Sequence, residues 1–126
     1  MTRAPAPDEK LLMWIGSSLR DLKDLPVELQ KGLGLALSTA QYGGKHPAAK
    51  PWKGEGAGVL EIVEDHDGDT FRAIYTVRFA KARYVLHAFQ KKSPKGIETR
   101  QSDIVLVKER LKAAQRNYDN RFGGSR

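Results

Sequence analysis

Residues 59–91 read VLEIVEDHDGDTFRAIYTVRFAKARYVLHAFQK, and this stretch decides the fold. Three strand-like segments follow one another, Val59 to Glu64, Thr70 to Phe79 and Tyr84 to Gln90, each rich in the β-branched and aromatic residues that suit a pleated, half-buried surface. The connections Asp65-His66-Asp67-Gly68-Asp69 and Ala80-Lys81-Ala82-Arg83 are of hairpin length, so an antiparallel meander is expected. Asp67-Gly68 supplies the positive φ that a tight turn requires.

Upstream, Leu11-Leu12-Met13-Trp14-Ile15 is a compact apolar run ended by Gly16, which reads as a short strand. Ser17 then precedes Leu19, Leu22 and Leu25, the pattern of a serine-capped short helix. From Pro26, placed at a first helical position, Leu29, Leu33, Ala36, Leu37 and Ala40 form one apolar stripe, closed by Gly43-Gly44. Residues 43–58 hold five Gly and two Pro, too much punctuation for a regular element, and predict a structured loop. Downstream, Ser102 is placed as the cap of a helix with Ile104, Val107, Leu111, Ala114 and Tyr118 on one face. The expected order is therefore β-α-α-β-β-β-α, an α+β domain with helices packed on a small, mostly antiparallel sheet. Residues 1–9 are expected to be a flexible N-terminal segment, 10–119 a single domain and 120–126 a frayed tail.

Composition narrows the function. The chain has 126 residues, 40% hydrophobic and 29% charged, as an ordinary globular domain has. It lacks cysteine altogether, which excludes disulfides, thiolate catalysis and Cys-based metal centres. The apolar run at Leu11–Ile15 is far below the roughly 18 residues of a membrane span, and the first residues carry no signal-peptide pattern, so a cytoplasmic protein is expected. The net charge of +7 is uneven: residues 1–71 hold 8 Lys+Arg and 11 Asp+Glu, whereas 72–126 hold 14 and 4. The basic half is a candidate surface for a polyanion. Asp65 to Asp69 fails the spacing of a calcium loop, and no other set of metal ligands is apparent, so neither metal nor cofactor is expected.

Trp14-Ile15-Gly16-Ser17-Ser18 before a Leu-spaced helix, then Trp52-Lys53, Glu61-Ile62, Phe71-Arg72-Ala73-Ile74-Tyr75 and Tyr84 to Lys92 resemble the phage-derived, HigB-like branch of the RelE/HigB toxin superfamily. The similarity continues through Lys95-Gly96-Ile97 and Ser102-Asp103-Ile104 and spans about residues 10–115. Its most specific piece is His87-Ala88-Phe89-Gln90-Lys91-Lys92 with a helix beginning soon after. The resemblance implies a RelE-like fold and a type II toxin, a ribosome-dependent endoribonuclease that cuts messenger RNA. It also implies a protein antitoxin, expected to be a helix-turn-helix protein, and leaves open a homo-oligomer or a toxin–antitoxin hetero-oligomer. A ribose 2′-hydroxyl attacks the adjacent phosphate in such enzymes, so the protein must move protons and stabilise a charge-rich phosphorane, without a metal.

Arg72, at the start of its strand, carries a guanidinium that forks onto phosphate oxygens, and the resemblance places an arginine here in the active cleft. The competing reading pairs it with Asp69 or Glu61 across the sheet. His87, Phe89 and Lys91 alternate along one strand and should share a face, with His87 as proton carrier or as a satisfied, partly buried imidazole. Arg72 and His87 are both expected on an open sheet face. Lys50, Lys53, Lys91, Lys92 and Lys95 frame the sheet at its loop ends, where charges can meet phosphates or an acidic partner. Trp52 either stacks on a base or anchors its loop. The rival function is a non-catalytic nucleic-acid- or partner-binding module of phage origin that uses Lys108, Lys112 and Arg116 on the last helix.

Overall fold

The computed structural model describes residues 9–54, 56–91 and 101–123. The elements in chain order are β1 (Leu11–Trp14), α1 (Ser18–Lys23), α2 (Val27–Gln41), β2 (Ala49–Pro51), β3 (Val59–His66), β4 (Asp69–Thr76), β5 (Ala82–Lys91) and α3 (Gln101–Phe122). The α+β expectation holds, with one added element. The Gly- and Pro-rich loop contains β2, whose three residues pair antiparallel with β3 at the sheet edge. An edge strand tolerates Pro51 because one side of its backbone needs no partner.

The sheet order is β1-β5-β4-β3-β2, with β1 parallel to β5 and the other pairs antiparallel. His66 pairs with Asp69 across a two-residue turn in which Asp67 (φ 50°) and Gly68 (φ 84°) both take positive φ. That combination defines a type I′ hairpin, whose twist matches the strands it joins. Pro26 stands one position earlier than expected, flanking α2 rather than opening it, and the carbonyl of Pro26 accepts from the Gln30 N–H at 3.0 Å. Gly43 (φ 84°) and Gly44 close α2, donating to the carbonyls of Ala40 and Thr39. Ser102 lies inside α3 rather than capping it, and the helix continues through Phe122, past the expected frayed boundary. The N-terminal segment before residue 9 lies outside the described residues.

Two apolar layers hold the sheet between helices. On one face Leu22, Leu33, Ala36, Leu37 and Ala40 of α1 and α2 pack on Ile62, Ala73, Tyr75, Val85 and Ala88. On the other face Val107, Leu111, Ala114 and Tyr118 of α3 pack on Val59, Ile74, Tyr84 and Leu86. Each fully buried Val or Leu contributes about 1.5–3 kcal/mol, so α3 is a core element.

Strict alternation would put Tyr84 and Leu86 on the face opposite His87 and Phe89. The ladder instead shifts between Ile74 and Tyr75, since Ile74 pairs with His87 and Tyr75 with Val85, which leaves Leu86 as the extra residue of a bulge. The bulge resets the phase. Tyr84 before it, Leu86 within it and Phe89 after it all join the layer beneath α3.

Candidate functional site

The register aligns the polar residues of the α3 face in rows across the strands. Lys50 pairs with Glu61, Glu61 with Ile74, and Ile74 with His87, while the next row runs Val63, Arg72, Phe89 and the one after ends Thr70, Lys91. His87, Phe89 and Lys91 thus share one face as expected. Neighbouring strands are about 4.8 Å apart, so Glu61, Arg72 and Lys91 fall within side-chain reach of one another.

Glu61 is the centre of this group. Its carboxylate is 1% exposed. Oε2 accepts from Arg72 Nη1 at 2.7 Å, and Oε1 lies 3.8 Å from Lys50 Nζ. The competing reading of Arg72 is therefore correct as to its partner, but the pair is buried rather than a surface ion pair. Glu61 and Arg72 are diagonal in the ladder, a relation set by strand register that the linear sequence does not display. Lys91 is also buried, at 9% exposure. Its ammonium is held below the usual lysine range by burial first and then by Arg72, with Lys50 and Lys53 adding to the effect and Glu61 opposing it. Lys50, Arg72 and Lys91 thus gather about one carboxylate, with Lys53 near enough to act on Lys91, an excess of cationic charge that favours an anion.

His87 sits differently from the expectation. It is not on an open face: the first turn of α3 covers it, and it is 7% exposed. Nε2 lies 2.8 Å from Asp103 Oδ1, and the ring stacks on Phe89 with centroids 4.3 Å apart. Nδ1 is buried without a hydrogen-bond partner. Burial lowers the imidazole below its usual range, and Arg110 adds to this against the opposing hydrogen bond and charge of Asp103 and the charge of Asp21. The result is a neutral, tethered histidine on α3's docking surface.

Trp52 anchors its loop. It is 7% exposed within the α3 layer, and a side chain at Gly54 would collide with its indole. Lys50 and Lys53 are exposed on either side of it. Lys92 and Lys95, expected among the RNA-binding lysines, lie outside the described residues. Tyr75 is core, at 0% exposure. Among the described residues no group of three or more His, Asp or Glu side chains is arranged to hold a metal, and no helix is long and apolar enough to cross a membrane.

Two functional candidates escaped the sequence reading. Glu61 belongs to the family resemblance and reads as a possible salt-bridge partner, with no role of its own, although an acidic residue facing inward on a strand is itself a signal. Asp103 was part of the family resemblance but had no assigned role, because its meeting with His87 depends on how α3 docks. A family model described as Phage derived protein Gp49-like (DUF891) matches residues 20–112. Neither the curated proteins nor the solved structures contain a match.

Proposed function

The chain belongs to the phage-derived Gp49-like family, and from that premise we propose that it is the toxin of a type II toxin–antitoxin module, a metal-independent, ribosome-dependent endoribonuclease acting on messenger RNA. Members of the family are often toxins of such modules. The observation that carries the reading is the cluster of Lys50, Arg72 and Lys91 about the buried Glu61 carboxylate, with Lys53 acting on Lys91. It pairs an excess of positive charge with a lysine able to give a proton.

The chemistry follows from the charges. The ribose 2′-oxygen forms a bond to phosphorus as the bond to the 5′-oxygen breaks, leaving a 2′,3′-cyclic phosphate and a 5′-hydroxyl. Arg72, always charged, forks onto the non-bridging oxygens where charge accumulates. Solvent water takes the 2′-proton, the buried Glu61 holds Arg72 in place through their 2.7 Å contact, and Lys91, its ammonium made more acidic by burial and neighbouring cations, protonates the 5′-oxygen. Lys50 and Lys53 hold the flanking phosphates. His87, tied to Asp103, positions α3 against β5 rather than moving the proton. An antitoxin with an acidic segment would silence the toxin by occupying the same cluster.

The test is cleavage of a defined message on translating ribosomes, mapped at its 5′-ends. Wild-type protein should produce new ends, and Lys91→Met should reduce them to a residual level. Co-expression of the neighbouring gene's product should restore growth. Wild-type protein that binds RNA yet never cuts it would overturn the enzyme reading in favour of the non-catalytic binding module.

A further inference from the structure

The two edges of the sheet are built differently. At one edge β2 carries Lys50 and Pro51, a charge and a proline of the kind that keep another strand from pairing with an exposed edge. At the other edge β1 lies within Leu11-Leu12-Met13-Trp14-Ile15, which has neither. Leu11 and Ile15 donate to the carbonyls of Lys81 and Val85 at 3.1 Å, and the parallel register between them is unbroken. Alternate residues of a strand bond to opposite sides, so Leu12 and Trp14 turn their N–H and C=O groups away from β5. Among the described residues no hydrogen bond meets those groups.

The open length is bounded at both ends. Lys10 also points its backbone outward, but its N–H donates to the Gln41 carbonyl at 2.8 Å and its carbonyl accepts from Gln41 Nε2 at 2.9 Å. Gly16, with φ 58°, turns the chain out of the strand. These two residues are equidistant from Met13, so the open edge is symmetric about it. A second copy running antiparallel, related by a two-fold axis at Met13, sets Leu12 opposite Trp14 twice over, and each pair exchanges both of its backbone hydrogen bonds. Self-complementarity of this kind is what an isologous interface requires. Leu12 and Trp14 both belong to the layer beneath α1 and α2, so each pair also brings an aliphatic side chain against an aromatic one on that face. Leu11, 36% exposed, comes opposite Ile15 of the other copy.

We propose that the outer edge of β1 is the interface between two copies of this chain, which join their five-stranded sheets into one continuous sheet. Charge selects this occupant. Each copy carries a net +7, yet the edge run has no ionisable side chain, so no like charges meet at the axis. For the same reason the edge offers an acidic partner no advantage. The cations of the candidate site stand well away: Lys50 on β2 is about 19 Å across the sheet from β1. Lys91 is about 20 Å along β5 from Val85, where the pairing with β1 ends. Both sites stay open in the dimer, and the inference rests neither on RNA nor on cleavage.

Sedimentation of the wild-type protein from micromolar to millimolar concentration should show its mass rising towards twice that of the monomer. Hydrogen exchange at the amides of Leu12 and Trp14 should slow over the same range. Met13→Lys places two ammonium groups opposite each other at the axis and should weaken the dimer roughly 100-fold, with circular dichroism confirming the fold. A thiol supplies an independent test, because the chain contains no cysteine. Residues facing each other at the axis have Cα atoms about 4.5 Å apart, within reach of a disulfide. Met13→Cys should therefore give a covalent dimer under mild oxidation, whereas Leu35→Cys, exposed on α2, should not.

A wild-type protein that stays monomeric at millimolar concentration would overturn the proposal. So would a dimer that Met13→Lys leaves intact, or a Leu35→Cys variant that links as readily as Met13→Cys. A monomer whose Leu12 and Trp14 amides slow only when the neighbouring gene's product is bound would also overturn it, and would assign the edge to a partner's strand.

Discussion

His87 and Asp103 meet at 2.8 Å, joining the last strand of the sheet to the first turn of the final helix. The contact makes the imidazole part of the α3 docking surface, stacked on Phe89 and enclosed at Nδ1. Three further hydrogen bonds hold the same helix. Arg110 donates to the Leu86 carbonyl at 2.9 Å and to Ser17 Oγ at 3.0 Å, and Tyr84 donates to Asn117 at 2.7 Å. They fix α3 in direction as well as depth, since hydrogen bonds are directional where apolar contact is not.

The state of His87 makes stability depend on pH. Burial holds its folded-state pKa below the unfolded value of 6.5, so below about that pH the unfolded chain binds the proton more readily than the folded one. Stability attributable to His87 is therefore present above pH 6.5 and is lost as pH falls towards the depressed folded value. Thermal melts of wild type should drop between about pH 7.5 and about pH 5 more steeply than those of His87→Gln. Parallel curves would show that the imidazole does not titrate across this seam.

Arg72 combines structure and chemistry, and the two roles separate in a double-mutant comparison. Arg72→Ala leaves Glu61 buried with its closest contact gone and Lys50 at 3.8 Å, and removing one member of a buried pair costs about 3–5 kcal/mol. Arg72→Met with Glu61→Leu removes both charges, so most of that stability should return. Activity should not return, because the loss of a transition-state contact costs about 100- to 1000-fold in rate. Recovery of cleavage along with the melting temperature would show that Arg72 only supports the fold.

The meander, its hairpin turn and the amphipathic faces of α2 and α3 were legible because periodicity and turn chemistry are local. The rest depended on register and docking. The bulge at Leu86 leaves no composition signal, yet it determines that Tyr84 and His87 lie beneath the same helix. Lys50 and Glu61 are partners only through β2, whose three residues hide among glycines and prolines. Arg83 shows the same limit: its Nε donates to the Ala40 carbonyl at 3.0 Å and its Nη1 to Phe79 at 2.9 Å, so a basic residue that reads as part of a polyanion surface is buried closing the end of α2. Alternation correctly put His87, Phe89 and Lys91 together, but could not show that α3 covers one end of that row.

The hairpin offers a test of the fold that is independent of function. Gly68 has φ 84°, and a Cβ there would meet nothing within 4 Å. Gly68→Val therefore adds backbone strain without a collision, costing about 1–2 kcal/mol. The melting temperature should fall by several degrees, a readout of the fold that needs no cleavage measurement. An unchanged melting temperature would mean that the turn relaxes into another type.

Lys91 provides the sharpest test of the proton-transfer assignment. Its ammonium is lowered by burial and by Arg72, with Lys50 and Lys53 contributing further. As general acid it must be protonated, so the rate should decline on the alkaline side as pH passes its pKa. Removing neighbouring positive charge relieves the repulsion of the protonated form and raises that pKa. Lys50→Gln with Lys53→Gln should therefore shift the alkaline limb of kcat/KM to higher pH, even as weaker phosphate binding lowers its maximum. Lys91→Met should abolish that limb and leave only residual cleavage. A limb that persists in Lys91→Met would assign the titrating acid to another group, and a limb that moves to lower pH when Lys50 and Lys53 are neutralised would contradict the electrostatic origin of the lowered pKa.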